Sequence, residues 1–401
     1  MTADAARGRL QNALNLIGVA NETVSARNVL VQLEDIVIPT AMNSPDNQLV
    51  VLQLGGLGAL VYAITLRSAA PELRQSAVSL LRNIVEHEHS DRLLGVDGPY
   101  TLRSCGGLAA LLPMLIGDDT PTASMDAAYI LMRAATVGGP GGSANCEALL
   151  GHAGALQLLL APTGRNHDES PNEIAYCAEA VAALLNQGGA DAAAQLQASG
   201  GVAILHALLA PPLVEVGGSL LNQGAAAAAA RALMTVALAS PALRDAVLQA
   251  SGRRLLGLLL DGANKEDMRR AAASLLLAFP PQMQSSVEPT DVPALVELVV
   301  ERRPLEGEAA SILLHLVGIA SHLAVLGQML PASDLVGLLQ EHLDENEEEV
   351  CTERAKLVVA MVRKLVCDSP QVRILCNFVI LMTMIVFLNT LIILNMCLLD
   401  E

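Results

Sequence analysis

Residues 54–95 read LGGLGALVYAITLRSAAPELRQSAVSLLRNIVEHEHSDRLLG, and their glycines and apolar residues indicate the fold class. A glycine pair at 55–56 opens a short apolar segment, which predicts a helix over 57–66. After a turn at Pro71, small and large apolar residues recur at helical spacing, which predicts a second helix over 72–85. One such unit cannot bury its apolar face alone, whereas stacked copies share a continuous core.

The second helix of this unit recurs along the chain as small residues followed by Leu, Ile or Met. With AVSLLRN at 77–83 as the template, the related stretches are AAYILMR at 127–133, AVAALLN at 180–186, AARALMT at 229–235, AASLLLA at 272–278 and AASILLH at 309–315. Weaker copies end at Asp35 and Lys364. The last residues of successive copies are 37 to 53 positions apart, which brackets the period of about 40–47 residues of armadillo and HEAT arrays.

Two further markers keep the same register and predict repeated helix starts. A Ser-Pro pair precedes an apolar segment at Ser44-Pro45, Ser240-Pro241 and Ser369-Pro370. A glycine opens an apolar helix at Gly55, Gly106, Gly154 and Gly200.

At these residues the chain resembles the armadillo-repeat family, over roughly residues 10–373. The resemblance implies an all-α fold, a right-handed α-solenoid of about eight irregular repeats, here with a C-terminal apolar helix. In that family the residue near the end of each third helix lines a concave groove that grips an extended peptide. The resemblance thus implies partner contacts at Asn83, Arg133, Asn186, Thr235 and His315. The chain has no Trp, so it lacks the Asn/Trp ladder that importin-type members use on nuclear signals.

Composition narrows the class of partner. The 401 residues carry a formal charge of −17, with 52% hydrophobic but only 2% aromatic residues, which suits Ala- and Leu-rich helices packed through small side chains. An acidic surface argues against a nucleic-acid partner, because phosphate binding needs clustered cations. It favours a protein partner with a basic surface, although an acidic face can also serve solubility alone. The seven cysteines are scattered and form no CxxC pair, which indicates reduced thiols.

Motifs of catalysis or metal binding are missing from the sequence. The alternating run EHEH at 86–89 points its side chains to different sides of a helix and lacks partner ligands nearby. The glycine-rich stretch 138–145 lacks the Lys-Ser/Thr pair of a phosphate-binding loop, so we expect a flexible loop there, with further loops at 162–173 and 211–228. We expect no enzymatic activity, no cofactor and no metal site.

Residues 374–399, ILCNFVILMTMIVFLNTLIILNMCLL, contain no charged residue. A membrane-spanning helix needs about 20 apolar residues, so this segment predicts a transmembrane, tail-anchor-like helix. The Lys and Arg residues before it predict that the solenoid faces the cytoplasm, and the short acidic end favours the endoplasmic reticulum and secretory route. Three alternatives stay open: the segment is a cap folded on the last repeat, it is a homodimer contact, or it results from an error in the gene model.

The expected organisation is a flexible N-terminus at 1–9, a repeat solenoid at 10–373 and a transmembrane helix at 374–399. The expected function is a scaffold or adaptor that binds a partner segment in its groove at the cytoplasmic face of a membrane. If the tail is not an anchor, we expect a soluble cytoplasmic protein. Two alternative functions remain, an armadillo-type nucleotide-exchange factor for a chaperone and a non-catalytic regulatory subunit of an enzyme.

Overall fold

The computed structural model describes residues 3–18, 31–42, 44–66, 70–86, 91–95, 101–116, 120–164, 171–209, 222–262, 264, 266–300, 305–317, 319–329 and 360. Helices joined by turns make up these residues, and no β-strand occurs among them. The predicted all-α class is therefore confirmed.

The chain divides into two compact units. The first comprises Met1–Leu258 and Gly262–Leu275, and the second comprises Leu259–Asp261 and Leu276–Glu401.

The helices of the first unit are α1 (Ala3–Gly18), α2 (Ile38–Ala41), α3 (Pro45–Gln53), α4 (Gly56–Thr65), α5 (Pro71–Glu86), α6 (Gly107–Leu111), α7 (Pro121–Thr136), α8 (Gly139–Leu150), α9 (Ala155–Leu160), α10 (Pro171–Ala198), α11 (Gly201–Leu208) and α12 (Asn222–Ala239). Two helices begin in the first unit and end in the second, α13 (Pro241–Leu260) and α14 (Glu266–Leu277). The second unit adds α15 (Pro280–Ser286), α16 (Val292–Val300), α17 (Glu306–Leu316) and α18 (Ala320–Met329). Short π-helical turns at Leu33–Val37 and Asp91–Gly95, and 3-10 turns at Leu112–Leu115, Ala161–Gly164 and Pro289–Asp291, complete the path.

Four long helices of the first unit lie side by side: α5 packs against α7, α7 against α10, and α10 against α12. We call these four helices the helix row. Each carries one of the alanine-led copies found in the sequence, and most apolar members of those copies are buried. In α5, for example, Ala77, Leu80, Leu81 and Ile84 are fully buried. The alanines let neighbouring helices approach closely, and the larger side chains fill the space between them.

The predicted helix-opening glycines are confirmed by their backbone angles. Gly55, Gly106, Gly154 and Gly200 have φ values of 76°, 73°, 76° and 74°, and they directly precede α4, α6, α9 and α11. A Cβ atom disfavours this left-handed conformation. Glycine therefore occupies these four helix starts, whereas Leu305 takes the same conformation, with φ 75°, before α17.

The predicted flexible loop at 138–145 is wrong, because α8 covers most of it. Gly141 and Gly142 are buried inside this helix. A Cβ on Gly142 would lie 1.8 Å from the carbonyl oxygen of Val137, and one on Gly141 would lie 2.4 Å from that of Gly95. These glycines permit close backbone packing, which composition alone does not distinguish from flexibility.

Two other segments that we expected to be irregular are also helical, at least in part. The alanines at 225–228, expected within the loop at 211–228, belong to α12 and are buried. Likewise, α1 begins at Ala3, within the segment 1–9 that we expected to be a flexible N-terminus. Leu10, Ala13 and Leu14 are buried, and this i, i+3, i+4 spacing gives α1 an apolar face that extends the helix back toward the terminus.

Polar side chains form hydrogen bonds across the turns between consecutive helices. On three helices a side chain reaches back to a carbonyl in the last turn of the preceding helix: Gln48 Nε2 donates to Ala41 at 3.2 Å, Asn145 Nδ2 to Ala134 at 3.1 Å and Arg244 Nε to Ala237 at 3.3 Å. Carbonyls at helix ends have no partner within the helix. These bonds therefore satisfy groups that the turn between helices leaves open.

In the part of the chain that the structure describes, no single helix combines the length and apolar character needed to cross a membrane. The adjacent helices α3 and α4 meet those criteria only as a pair, and they are bent by 88° relative to each other. The predicted transmembrane helix at 374–399 and the Ser369-Pro370 marker lie outside the described residues.

Candidate functional site

Four of the five predicted contact residues lie on the helix row, one on each helix. Asn83 is on α5, Arg133 on α7, Asn186 on α10 and Thr235 on α12. His315 is on α17, in the second unit. The helix row therefore brings the first four predicted positions onto successive, packed helices.

These residues differ in how much of their side chain remains for a partner. Asn83 Nδ2 donates to the Met42 carbonyl at 3.0 Å, and Thr235 Oγ1 donates to the Arg231 carbonyl at 3.2 Å, so both groups are used within the protein. The Asn186 side chain is exposed.

Arg133 is partly buried, and its guanidinium has neither a hydrogen-bond nor an ion-pair partner among the described residues. In the second unit, the backbone carbonyl of His315 accepts from Gln284 Nε2 at 2.7 Å. Of the predicted set, Arg133, Asn186 and the imidazole of His315 make no side-chain hydrogen bond or ion pair within the described part of the chain, and the first two lie on the helix row.

A polar bridge joins the first two helices of the row. Arg82 donates from a terminal guanidinium nitrogen to Asp126 Oδ1 at 2.6 Å, and Ser79 Oγ donates to Asp126 Oδ2 at 2.6 Å. The Asp126 side chain is only 4% exposed. Burial alone would lower the pKa of Arg82, but the hydrogen bond and charge of Asp126, with smaller contributions from Glu86 and Tyr176, raise this pKa. The bridge therefore ties α5 to α7 through a buried carboxylate.

The other interfaces of the row carry similar bridges. Ser124 of α7 donates to the buried carboxylate of Glu173 on α10, and Arg231 of α12 forms an ion pair with Glu179 of α10. Asp126 and Glu179 both stand immediately before the first alanine of their copies. The apolar residues and the last residue of each copy do not reveal this acidic position. The residue before each copy is the signal that could have identified it.

Two tyrosines and an arginine lie across the same helices. The rings of Tyr129 and Tyr176 meet nearly edge to face, with centroids 5.2 Å apart and planes at 73°. The Arg82 guanidinium carbon lies 5.0 Å from the Tyr129 ring centroid, a cation–π contact. Burial, followed by the charge of Glu86, raises the pKa of Tyr129. Tyr176 therefore packs against a ring that Arg82 contacts in turn.

A cavity of about 410 Å³ opens beside Tyr176 within the first unit. Side chains from four helices line it: Met132 of α7, Tyr176 and Glu179 of α10, Arg231 of α12, and Asp267 and Met268 of α14. Three small residues leave the space open, Ala175, Gly224 and Ala227. The cavity combines apolar walls, an aromatic ring and charged groups, which is the usual make-up of a binding site. We call it the Tyr176 cavity.

No protein-family model matches the chain. No curated protein matches it either. The likeness to armadillo repeats thus stays a prediction from the motifs quoted above.

Outside the helix row, a Ser–His pair stands out. Ser251 Oγ hydrogen-bonds to His206 Nδ1, and Arg254 donates to the His206 carbonyl at 2.9 Å. Burial and then the positive charge of Arg254 lower the pKa of His206. Ser251 is fully buried, so its hydroxyl is not open to a substrate. The pair instead joins α11 to α13.

Within the described ranges, no group of three or more His, Cys, Asp or Glu is arranged to hold a metal ion. The thiol of Cys146 is buried, its Sγ contacts the Ala135 carbonyl at 3.4 Å, and burial followed by the charge of Glu147 raises its pKa to about 11. This thiol is therefore protonated at neutral pH, and a protonated thiol is a poor nucleophile.

Proposed function

We propose that the protein is a non-catalytic scaffold or adaptor that captures an extended segment of a partner protein along the helix row. The observation that carries this proposal is the placement of one sequence motif on successive packed helices, with Arg133, Asn186 and the Tyr176 cavity on the same row. We further propose that the row is part of a right-handed armadillo solenoid and that these groups line its groove. The motifs, their spacing and the recurring glycine turns support this architecture.

The dimensions of packed helices suit an extended peptide. Neighbouring helix axes lie about 8–10 Å apart, and an extended chain rises about 3.3 Å per residue. About three residues of a partner therefore span the step from one helix to the next. Each helix of the row would contribute a modest contact, and affinity would grow with the number of helices engaged.

The test is capture of a partner by variants of the full chain. The tagged protein is produced in the cells that normally make it, cross-linked and purified, and the captured proteins are compared by mass spectrometry. We expect Arg133→Ala combined with Asn186→Ala to lose a specific partner. Gln195→Ala combined with Gln197→Ala serves as the control, because these side chains are also exposed and lie on α10 beyond the break in its backbone at Gly189. Equal capture by both variants, each folded by circular dichroism, would contradict the proposed binding face.

We also propose that residues 374–399 anchor the protein to a membrane, with the repeats on its cytoplasmic face and the endoplasmic reticulum or secretory route favoured. The basis is the uncharged, apolar sequence of this segment. Membranes from cells producing residues 1–401 or 1–373 would be extracted with alkaline carbonate. Retention of only the longer form supports the anchor, whereas release of both forms makes the protein a free cytoplasmic scaffold.

A further inference from the structure

We propose that the Tyr176 cavity receives a lysine or arginine side chain, so that the partner presents a basic segment to the helix row. This inference rests on the proposed function, because it assigns the chemistry of the partner bound at that same face.

The charges in the cavity favour a cation. Asp267 is exposed, and its carboxylate has neither a hydrogen-bond nor an ion-pair partner among the described residues. Glu179 uses Oε2 to pair with Arg231, and its other oxygen makes no bond within the described part of the chain. Two carboxylates thus face one guanidinium in the lining. An entering carboxylate would meet a net negative site, whereas an entering cation would complete the charge balance.

The shape and apolar lining suit a long, flexible basic side chain. Met132 and Met268 offer thioether groups from α7 and α14, and Tyr176 offers its ring. Lysine and arginine carry several methylene groups before their charge, and these groups pack well on apolar surface. The charged end can then lie near an aromatic ring and a carboxylate together. Aspartate and glutamate have shorter stems and the wrong charge.

The net charge of the whole chain adds a long-range electrostatic attraction for the same basic segments. Its formal charge of −17 attracts basic segments and repels acidic ones. This attraction alone is not specific to one cavity. The experiment therefore has to separate the Tyr176 cavity from the general acidity of the surface.

The probes are fluorescein-labelled peptides of about twelve residues, with Lys at every third position in a Gly/Ser background. Matched peptides carry Gln or Glu at the same positions. Binding to the full chain is measured by fluorescence anisotropy at low and moderate salt. We expect the Lys peptide to bind at least tenfold more tightly than the Gln peptide and the Glu peptide to bind least. Equal affinity for the Lys and Gln peptides overturns the inference.

Two variants locate the binding. Asp267→Asn should weaken binding of the Lys peptide at least fivefold, because it removes the unpaired carboxylate of the cavity. Glu266→Gln is the matched control: it removes the same charge one residue away, where Glu266 pairs with Arg270 at 2.5 Å outside the cavity lining. We expect less than a twofold change there. Equal losses in both variants would show that the peptide senses only net charge and would overturn the cavity assignment.

The two proposals can fail separately. If Arg133→Ala with Asn186→Ala abolishes partner capture but the Lys peptide shows no preference, the row binds a partner of other chemistry. If the Lys peptide binds through Asp267 but capture is unaffected, the cavity assignment survives and the wider binding face is wrong.

Discussion

The Nδ2 of Asn145 donates to the carbonyl of Ala134 at 3.1 Å, across the junction between α8 and the end of α7. The same nitrogen donates to the Leu94 carbonyl at 2.9 Å. Asn145 is 2% exposed, so water cannot replace it at either carbonyl. Its Oδ1 accepts from the Arg103 guanidinium at 3.3 Å. One buried amide thus holds four segments of chain together.

Replacing Asn145 by Leu should destabilise the protein by about 2–4 kcal/mol, because two buried carbonyl groups lose their donor. Asn186→Leu is the control, since the Asn186 side chain is exposed, and we expect a change of less than about 0.5 kcal/mol there. Urea-induced unfolding followed by circular dichroism measures both. Similar unfolding midpoints would contradict the role assigned to the Asn145 amide.

Gly142→Ala should be more damaging than glycine-to-alanine changes usually are inside helices. The new methyl group would lie 1.8 Å from the Val137 carbonyl oxygen, so the junction before α8 must move apart. We expect a loss of about 2 kcal/mol or more in the free energy of unfolding. At Gly138 a Cβ meets no atom within 4 Å and φ is −71°. Gly138→Ala should therefore be nearly neutral. Urea-induced unfolding followed by circular dichroism measures both variants, and equal effects would refute the close packing.

Asp126→Ala should cost about 3 kcal/mol, because it leaves the partly buried Arg82 and Ser79 without their carboxylate. Glu86 offers a comparison on the same arginine. It lies 3.5 Å from Arg82, one helical turn away, with its side chain 44% exposed. Glu86→Ala should change stability by no more than about 0.5 kcal/mol. Denaturant titration measures the free energy of unfolding of both variants. Equal losses in Glu86→Ala and Asp126→Ala would contradict this ranking.

The partly buried His206 should make the free energy of unfolding depend on pH. Its pKa in the folded protein is lowered, whereas the unfolded chain has a histidine pKa of about 6.5. As the pH falls through about 6.5, the unfolded state binds protons that the folded state resists, so stability falls. The loss continues until the pH reaches the folded pKa. Unfolding free energies at pH 7.5 and 5.5 should therefore differ through this residue.

His206→Asn isolates that contribution, because asparagine can still hydrogen-bond to Ser251 but does not titrate. We expect the variant to lose less stability between pH 7.5 and 5.5 than the natural protein loses. Most carboxylates titrate below this range, so they add little to the difference. A variant with the same pH dependence as the natural protein would show that His206 is not responsible.

Helix positions were predictable where the sequence repeats a local rule. The helices expected over 57–66 and 72–85 correspond to α4 and α5, each within one residue at both ends. The glycine before α4 was predictable because its role is local: it allows the left-handed backbone conformation at the start of the helix. The stretch 138–145 was not, because Gly141 and Gly142 serve contacts with backbone distant in sequence, and composition does not record such contacts.

The candidate site shows the same division. The last residue of each copy marked Arg133 and Asn186 on the helix row. The Tyr176 cavity was not predictable from the copies, because Met132 lies within its copy whereas Glu179 and Asp267 precede theirs, and the three residues meet only when the helices pack. Asn83 also matched the motif, yet its amide bonds to Met42. Motif position alone does not show whether a polar group is already satisfied inside the protein.

The polar bridges of the helix row have a consequence for synthesis on the ribosome. The partners in these bridges, such as Arg82 with Asp126 and Arg231 with Glu179, are 44 to 52 positions apart in the chain. A nascent chain that has exposed α5 and α7 can therefore form the Arg82–Asp126 bond before α12 has been translated. Each newly emerged helix finds its neighbour already in place, so the row can assemble in the order of translation, with little apolar surface waiting for distant sequence.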